Sequence, residues 1–323
     1  MTKVMQLLAA AALTLTAAMA PASAQQYPDR VVRVQLGFPA GGGADILARW
    51  YADKLQKALG GSFIVDNKVG ASGNLALDAA AKAKPDGYTL LLASTVTTAG
   101  NAAVFKQMPM DVRKDIVPTV GFAETPFVLA VAPDSPINSI ADLTAYLKSK
   151  DGKATYGTAT TSALASTEIY LAKVGAKATQ VGYKTTANAI TDVTAKQIDF
   201  AFADVVFATG QAKQGRIKIL ANASNIRSPA MPDVPTLKEL TGAETGDIVA
   251  LWGLWAPTGT PKDILDKLGK TINDITKSEE TQKFLIEQGA TPWVATPEEY
   301  KKKFEVALKA WADAVQLAKI EVQ

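Results

Sequence analysis

Two rhythms of apolar positions take turns along the chain. Residues 30–38 are a run of β-branched and apolar side chains that predicts a strand buried on at least one face. From Ala44 onward, Ile46, Leu47, Trp50, Tyr51, Leu55, Ala58 and Leu59 recur at three and four, which predicts a helix stopped by Gly60 and Gly61. A strand at 62–66, a helix at 75–84, turn residues Pro85, Asp86 and Gly87, and a strand at 88–93 follow. This β-α-β-α-β alternation implies a parallel sheet with helices on both faces. Loops at the carboxyl ends of such strands share one edge. The glycine loops at 39–43 and 67–74 and the hydroxyl-rich loop at 94–101 are therefore expected to converge.

Strands at 117–122 and 127–131 come next, with Pro126 and Pro133 marking a crossover between domains. Ser139 caps a helix reaching about residue 149, with Asp142 three positions on. A second β-α series has strands at 154–156, 178–181, 198–203 and 217–221, helices at 163–173 and 188–196, and a loop at 157–162. A proline-rich connection at 227–235 leads to an apolar strand at 248–257 carrying Trp252 and Trp255, then to helices at 262–276, 279–287 and 297–318. In the last of these Tyr300, Phe304, Leu308 and Trp311 have the spacing of a core face. The expected organisation is two lobes, one from 25–123 and 224–323, the other from 124–223, with the chain crossing between them at least twice.

Composition removes whole classes of chemistry. No histidine or cysteine occurs among the 323 residues, so Ser–His and Cys–His pairs, disulfides, a lipoprotein anchor and the commonest metal ligands are all absent. Neither a metal nor a cofactor is expected. Lys3, an apolar run over 5–20 and the Ala22, Ser23, Ala24 cleavage pattern describe a signal peptide over 1–24, hence an exported, most simply periplasmic protein. Its removal takes the formal charge from +3 to +2, with lysines scattered among acids, and no nucleic-acid partner is implied.

Strand, glycine loop and helix at 30–59 aim backbone N–H groups and the positive end of a helix dipole at an anion, although a tight turn alone would also need those glycines. No Gly-Lys-Ser/Thr follows, and the spacing is not Gly-x-Gly-x-x-Gly. Asp45 suits the first turn of a helix as a structural carboxylate. Asp204 directly follows a buried strand, and two roles are open to it: capping the next helix, or facing a cleft to meet a ligand hydroxyl or ammonium or to discriminate between acids.

Six blocks in order, at 27–28, 38–49, 66–74, 84–91, 227–236 and 256–261, resemble the substrate-binding receptors of tripartite tricarboxylate transporters, the Bug family of periplasmic solute-binding proteins. The resemblance implies an α/β, two-lobed Venus flytrap of type II-like form, a mainly parallel sheet in each lobe, and an organic carboxylate (a di- or tricarboxylate or an aromatic acid) held between the lobes for a membrane permease. It implies no enzymatic activity and a monomer. It places the ligand carboxylate over Phe38, Ala40, Gly41, Gly42 and Gly43, beside Asp45, with Ser94, Thr95, Thr97 and Thr98 on the same side. Thr158, Thr160, Thr161, Ser162 and Tyr183 would cradle the ligand from the second lobe, with Asp204 near its far end. Departures from the family pattern include a shorter, threonine-rich loop at 157–162, Leu164 at a position where histidine is common, and Gly182, Tyr183, Lys184, Thr185 in place of Pro-Tyr-Lys-Gly. They imply a more apolar pocket than in relatives that bind small dicarboxylates. Two other roles stay open: docking the liganded form on a sensor-kinase ectodomain, and hydrolysis by Ser94, Thr97 or Ser162 with Lys184 or Asp204 as base.

Overall fold

A computed structural model describes residues 27–224, 227–229, 231–243, 245, 248–317, 320 and 322. The signal peptide expected over 1–24, residue 230 of the proline-rich connection and residue 318 of the last helix lie outside the described residues.

The first lobe is built on a six-stranded sheet. Val32–Leu36 (β1) lies between Phe63–Asn67 (β2) and Thr89–Ser94 (β3), parallel to both. Gly43–Leu59 (α1) and Asn74–Ala81 (α2) make the two crossovers that parallel strands require. Helix α1 buries Leu47, Tyr51 and Leu55, the stripe its spacing predicts. Beyond β3 the sheet is antiparallel. Ala250–Pro257 (β10) pairs with β3 and with Ile116–Thr125 (β4), and Thr291–Ala295 (β11) forms the outer edge.

The second lobe has five strands, ordered Thr179–Gly182 (β7), Thr155–Thr158 (β6), Phe200–Asp204 (β8), Phe127–Val131 (β5) and Lys218–Asn222 (β9). β6 runs parallel to β7 and β8, while β5 is antiparallel to β8 and β9. Ile140–Lys150 (α4), Thr161–Val174 (α5), Thr186–Thr194 (α6) and Val205–Lys213 (α7) cover it. Ser139 caps α4 by accepting from Asp142 N at 3.0 Å, as its position predicts. Both sheets are thus mixed: βαβ units give the parallel pairs, β10 and β5, each entering from the other lobe, bring antiparallel ones, and β11 adds another at the first sheet's edge.

Only Pro126 separates β4 in one sheet from β5 in the other, and the chain returns between Asn222 and Ala250 by way of Leu237–Thr241 (α8). Lys262–Lys277 (α9), Glu279–Glu287 (α10) and Pro297–Leu317 (α11) then close over the first lobe. Tyr300, Phe304, Leu308 and Trp311 of α11 are all buried, and Tyr300 Oη accepts from Trp255 Nε1 at 3.0 Å.

Two stretches differ from the sequence expectation. Residues 94–101 are not an open loop: a π-helical turn at Val96–Gly100 runs directly into a short helix, Asn101–Val104 (α3). Thr98 Oγ1 supports the turn by donating to Ser94 O at 3.1 Å. Strand β11 carries Pro292, which breaks the apolar alternation; it is tolerated because it lies on the sheet edge, where the register against β4 also shifts.

Candidate functional site

The loops leaving β1, β2 and β3 meet as the parallel arrangement requires. The first two touch backbone to backbone, since a Cβ on Gly37 would lie 2.6 Å from Gly73 Cα. Behind the Phe38–Gly41 loop stands a polar scaffold. Asp45 accepts from Gly41 N at 2.9 Å, Arg49 Nε at 2.8 Å and Asn67 Nδ2 at 2.9 Å, and Asn67 Nδ2 also reaches Phe38 O at 2.9 Å. Burial pushes the Asp45 carboxyl up, but these donors outweigh it and hold the group below its ordinary value. The N-cap of α1 is Gly42, so no side chain caps the first N–H groups of that helix. Lining the same cavity, Ser94 and Thr97 are 1% and 3% exposed, and neither hydroxyl has a hydrogen-bond partner among the described residues. Leaving buried hydroxyls unpaired costs roughly 1–3 kcal/mol each, and these two are the unpaired ones that line the cavity.

The facing wall comes from the second lobe, and several of its side chains are bonded within the protein. Thr160 caps α5 by accepting from Ala163 N at 3.2 Å, and Thr185 caps α6 by accepting from Asn188 N at 3.1 Å. Thr161 Oγ1 donates across the cleft to Asn101 Oδ1 at 2.9 Å. Tyr183 Oη donates to Asp192 at 2.7 Å; burial and that carboxylate push its hydroxyl up to about 12. Asp204 caps α7, accepting from Phe207 N at 2.9 Å, and also lines the cleft. Of the two roles open to it in the sequence the cap is made, and the same side chain faces the cavity. Its Oδ1 packs so closely on the first turn of α1 that a Cβ on Gly43 would overlap it and lie 2.9 Å from Val206 Cβ. Burial pushes the Asp204 carboxyl up to about 6.

Between the walls is a cavity of about 660 Å³. Helices α1, α5, α6 and α7 all begin at it, so four positive dipole ends face one space. Lys184 and Asp204 are the charged side chains lining it, whereas Phe38, Val69, Val96, Phe127, Phe207 and Trp252 supply apolar wall. The Phe38 ring stands edge-on to Trp252 at 5.8 Å, and Trp252 Nε1 donates to Thr125 Oγ1 at 2.7 Å. Among the described residues no cluster of metal-ligating side chains is present. Dipoles, backbone N–H groups and free hydroxyls around an apolar interior suit an organic anion.

Of the residues singled out in the sequence, Phe38, Ala40, Gly41, Gly42, Gly43, Ser94, Thr97, Thr160, Thr161, Tyr183 and Asp204 line this cavity. Five do not. Asp45 lies behind the glycine loop as its scaffold. Thr95 bonds the β10 strand, donating to Val249 O and accepting from Leu251 N, both at 3.1 Å. Thr98 is turned onto Ser94 O, Thr158 accepts from Gln180 Nε2 at 2.8 Å, and Ser162 approaches Ile248 O at 3.5 Å. Sequence reasoning left out Asn101, at the start of α3, and Thr125, Phe127 and Trp252, the last three of which stand on the strands next to the crossings. Their signal is the crossover itself, because strands that pass between lobes form the floor of the space the lobes enclose.

A model of the tripartite tricarboxylate transporter family receptor matches residues 47–318. Protein BugT of Bordetella pertussis (strain Tohama I) is 31% identical over 301 residues, 92% of each chain. Among solved structures, R. palustris Rpa4515 with adipate is similar with a TM-score of 0.87 at 29% identity, covering 91% of this chain and 99% of that one. The periplasmic binding protein BugD is similar with a TM-score of 0.85 at 29% identity, over 92% of this chain and 100% of its own.

Proposed function

The chain belongs to the tripartite tricarboxylate transporter receptors, a family of periplasmic solute-binding proteins, and from that premise we propose that it captures an organic carboxylate between its lobes and delivers it to the membrane permease of a tripartite transporter. The observation that carries this reading is the pair of buried hydroxyls of Ser94 and Thr97, without a partner among the described residues, lining one cavity with the uncapped start of α1. A carboxylate there takes two hydroxyl donors and the N–H groups of a helix N-terminus without a buried arginine. Each such charge-assisted bond is worth ~1.5–3 kcal/mol, and a micromolar receptor needs about 8 kcal/mol net.

The ligand's remainder packs against the apolar wall, and the crossings at Pro126 and between β9 and β10 serve as the hinge. Lobe boundaries near 124 and 224 follow from those crossings. The similar protein solved with adipate supports a carboxylate ligand. We read the protein as a receptor because the family it belongs to is one of solute-binding receptors. Thermal unfolding against a panel of organic acids, adipate included, tests the proposal. A ligand at about 100 times its Kd adds ~2.7 kcal/mol to stability, and calorimetry then returns its affinity. Flat melting curves across all carboxylates, with protein shown by mass spectrometry to be ligand-free, would overturn it.

A further inference from the structure

The second charged group of the cleft narrows the ligand beyond "a carboxylate", an inference that rests on the receptor reading above. Asp204 belongs to the second lobe, yet its carboxylate stands against Gly43, in the first turn of the helix whose free N–H groups receive the ligand's own carboxylate. Among the described residues no lysine or arginine forms an ion pair with it, and its one protein hydrogen bond beyond its own backbone is the cap to Phe207 N. A ligand carboxylate seated on α1 therefore lies within one or two atoms of a second carboxylate. Two carboxylates at that separation, away from bulk water, do not both stay ionised unless a donor or cation lies between them; without one, a carboxyl must take up a proton. Of the second-lobe hydroxyls, Thr161 and Tyr183 already donate within the protein, whereas Thr160 and Thr185 only accept at their helix starts, held there as caps with their protons directed by the cleft.

We infer that Asp204 is a specificity-determining residue, and that the cleft takes a carboxylic acid bearing a hydrogen-bond donor, ammonium or hydroxyl, on the carbon next to the carboxyl group and an apolar side chain beyond it. The carbon next to the carboxyl group is the position such close spacing selects: the carboxylate lies on the start of α1, and its neighbouring substituent reaches Asp204. The rest of the molecule then meets Phe38, Phe127, Phe207 and Trp252. A second ionised carboxylate at the far end would be buried in that wall with Lys184 as the only lining cation. Burial already disfavours the charged form of Asp204, and an ammonium donor reverses that penalty.

Calorimetry on the purified protein with four six-carbon acids tests the inference: L-leucine, 2-hydroxy-4-methylpentanoate, 4-methylpentanoate and adipate. The expected result is that leucine, the hydroxy acid or both bind at least ~10-fold more tightly than 4-methylpentanoate and adipate, and which of the two leads identifies the donor. In Asp204→Asn, which keeps an N-capping side chain, that advantage should fall to within a few-fold while 4-methylpentanoate binds as well or better. Should the variant fail to fold, the wild-type series decides alone. If 4-methylpentanoate or adipate binds as tightly as the donor-bearing acids, or if Asp204→Asn weakens every acid equally, the inference falls and the receptor reading stands. If none of these four binds but other carboxylates do, the inference falls alone; if no carboxylate binds, both fall.

Discussion

The two walls of the cleft are made of similar parts, helix starts and threonines, but they are finished differently. On the first lobe the helix start is uncapped and, among the described residues, Ser94 and Thr97 have no partners. On the second lobe Thr160, Thr185 and Asp204 cap their own helices, and Thr161 reaches across to Asn101. Unpaired groups store free energy that a ligand releases, whereas paired groups fix geometry. On the reading proposed above, the first wall is the one that binds charge, and the second closes and selects by shape and by Asp204. This division yields tests in which affinity and stability move separately.

The largest effect is expected where the walls touch. Gly43 is in ordinary helical backbone, so a side chain there costs nothing within α1, but a Cβ overlaps Asp204 Oδ1 and meets Val206 at 2.9 Å. Asp204 can swing away; Val206 cannot. Gly43→Val should hold the lobes apart and weaken binding by more than ~100-fold, about 2.7 kcal/mol, with little change in the melting temperature of the free protein. Unchanged affinity would mean that the contact is not part of the liganded form. Next in size is the scaffold of the first wall. Asp45→Ala leaves Gly41 N, Arg49 and Asn67 short of an acceptor and should cost about 2–3 kcal/mol in urea unfolding at pH 7. Because the folded protein holds this carboxyl below its ordinary value, its contribution is complete above about pH 4 and disappears as pH falls through the folded value. The gap between wild type and variant should shrink in acid; a gap that persists there would assign the loss to packing.

One threonine from each wall sharpens the comparison further. Thr97→Val keeps the shape and removes an unpaired hydroxyl, so affinity should drop ~10-fold, about 1.4 kcal/mol, while the free protein is as stable as wild type or more so. Thr160→Ala removes a cap that is already in use, so stability should fall by about 1 kcal/mol with affinity nearly unchanged. Calorimetry and unfolding on both variants give four numbers. If the two behave alike, the walls are not divided as argued.

Much of the fold was legible because it is written in local periodicity. The β-α-β-α-β start, the cap at Ser139 and the buried face of α11 each follow from spacing within one segment. The hydroxyls at 94–98 show where that legibility ends. Four of them stand close together in sequence, but the end of β3 and the π-helical turn after it set Ser94 and Thr97 on the cleft, Thr95 on the backbone at the start of β10 and Thr98 on Ser94 O. No local propensity encodes that turn; it depends on β10, which arrives more than 150 residues later. For the same reason Asn101 was not foreseen, since its partner Thr161 is 60 residues away in the other lobe.

That Asn101–Thr161 bond is the subtlest test of the division between walls. It is a contact between lobes and not between protein and ligand, made at 2.9 Å in a buried setting where neither group has water to fall back on. When the lobes part, both groups are solvated, so the bond's net worth is roughly 1 kcal/mol, and it favours only the closed form. A ligand that binds the closed form then shares that bias, because its apparent affinity scales with the fraction of closed protein. Thr161→Val should weaken every ligand of this cleft by the same factor, about 5-fold, through faster dissociation and without altering the order of preference among acids. Stopped-flow dissociation rates for two chemically different ligands measure it. A change in preference would place Thr161 against the ligand itself, and the second wall would then recognise as well as close.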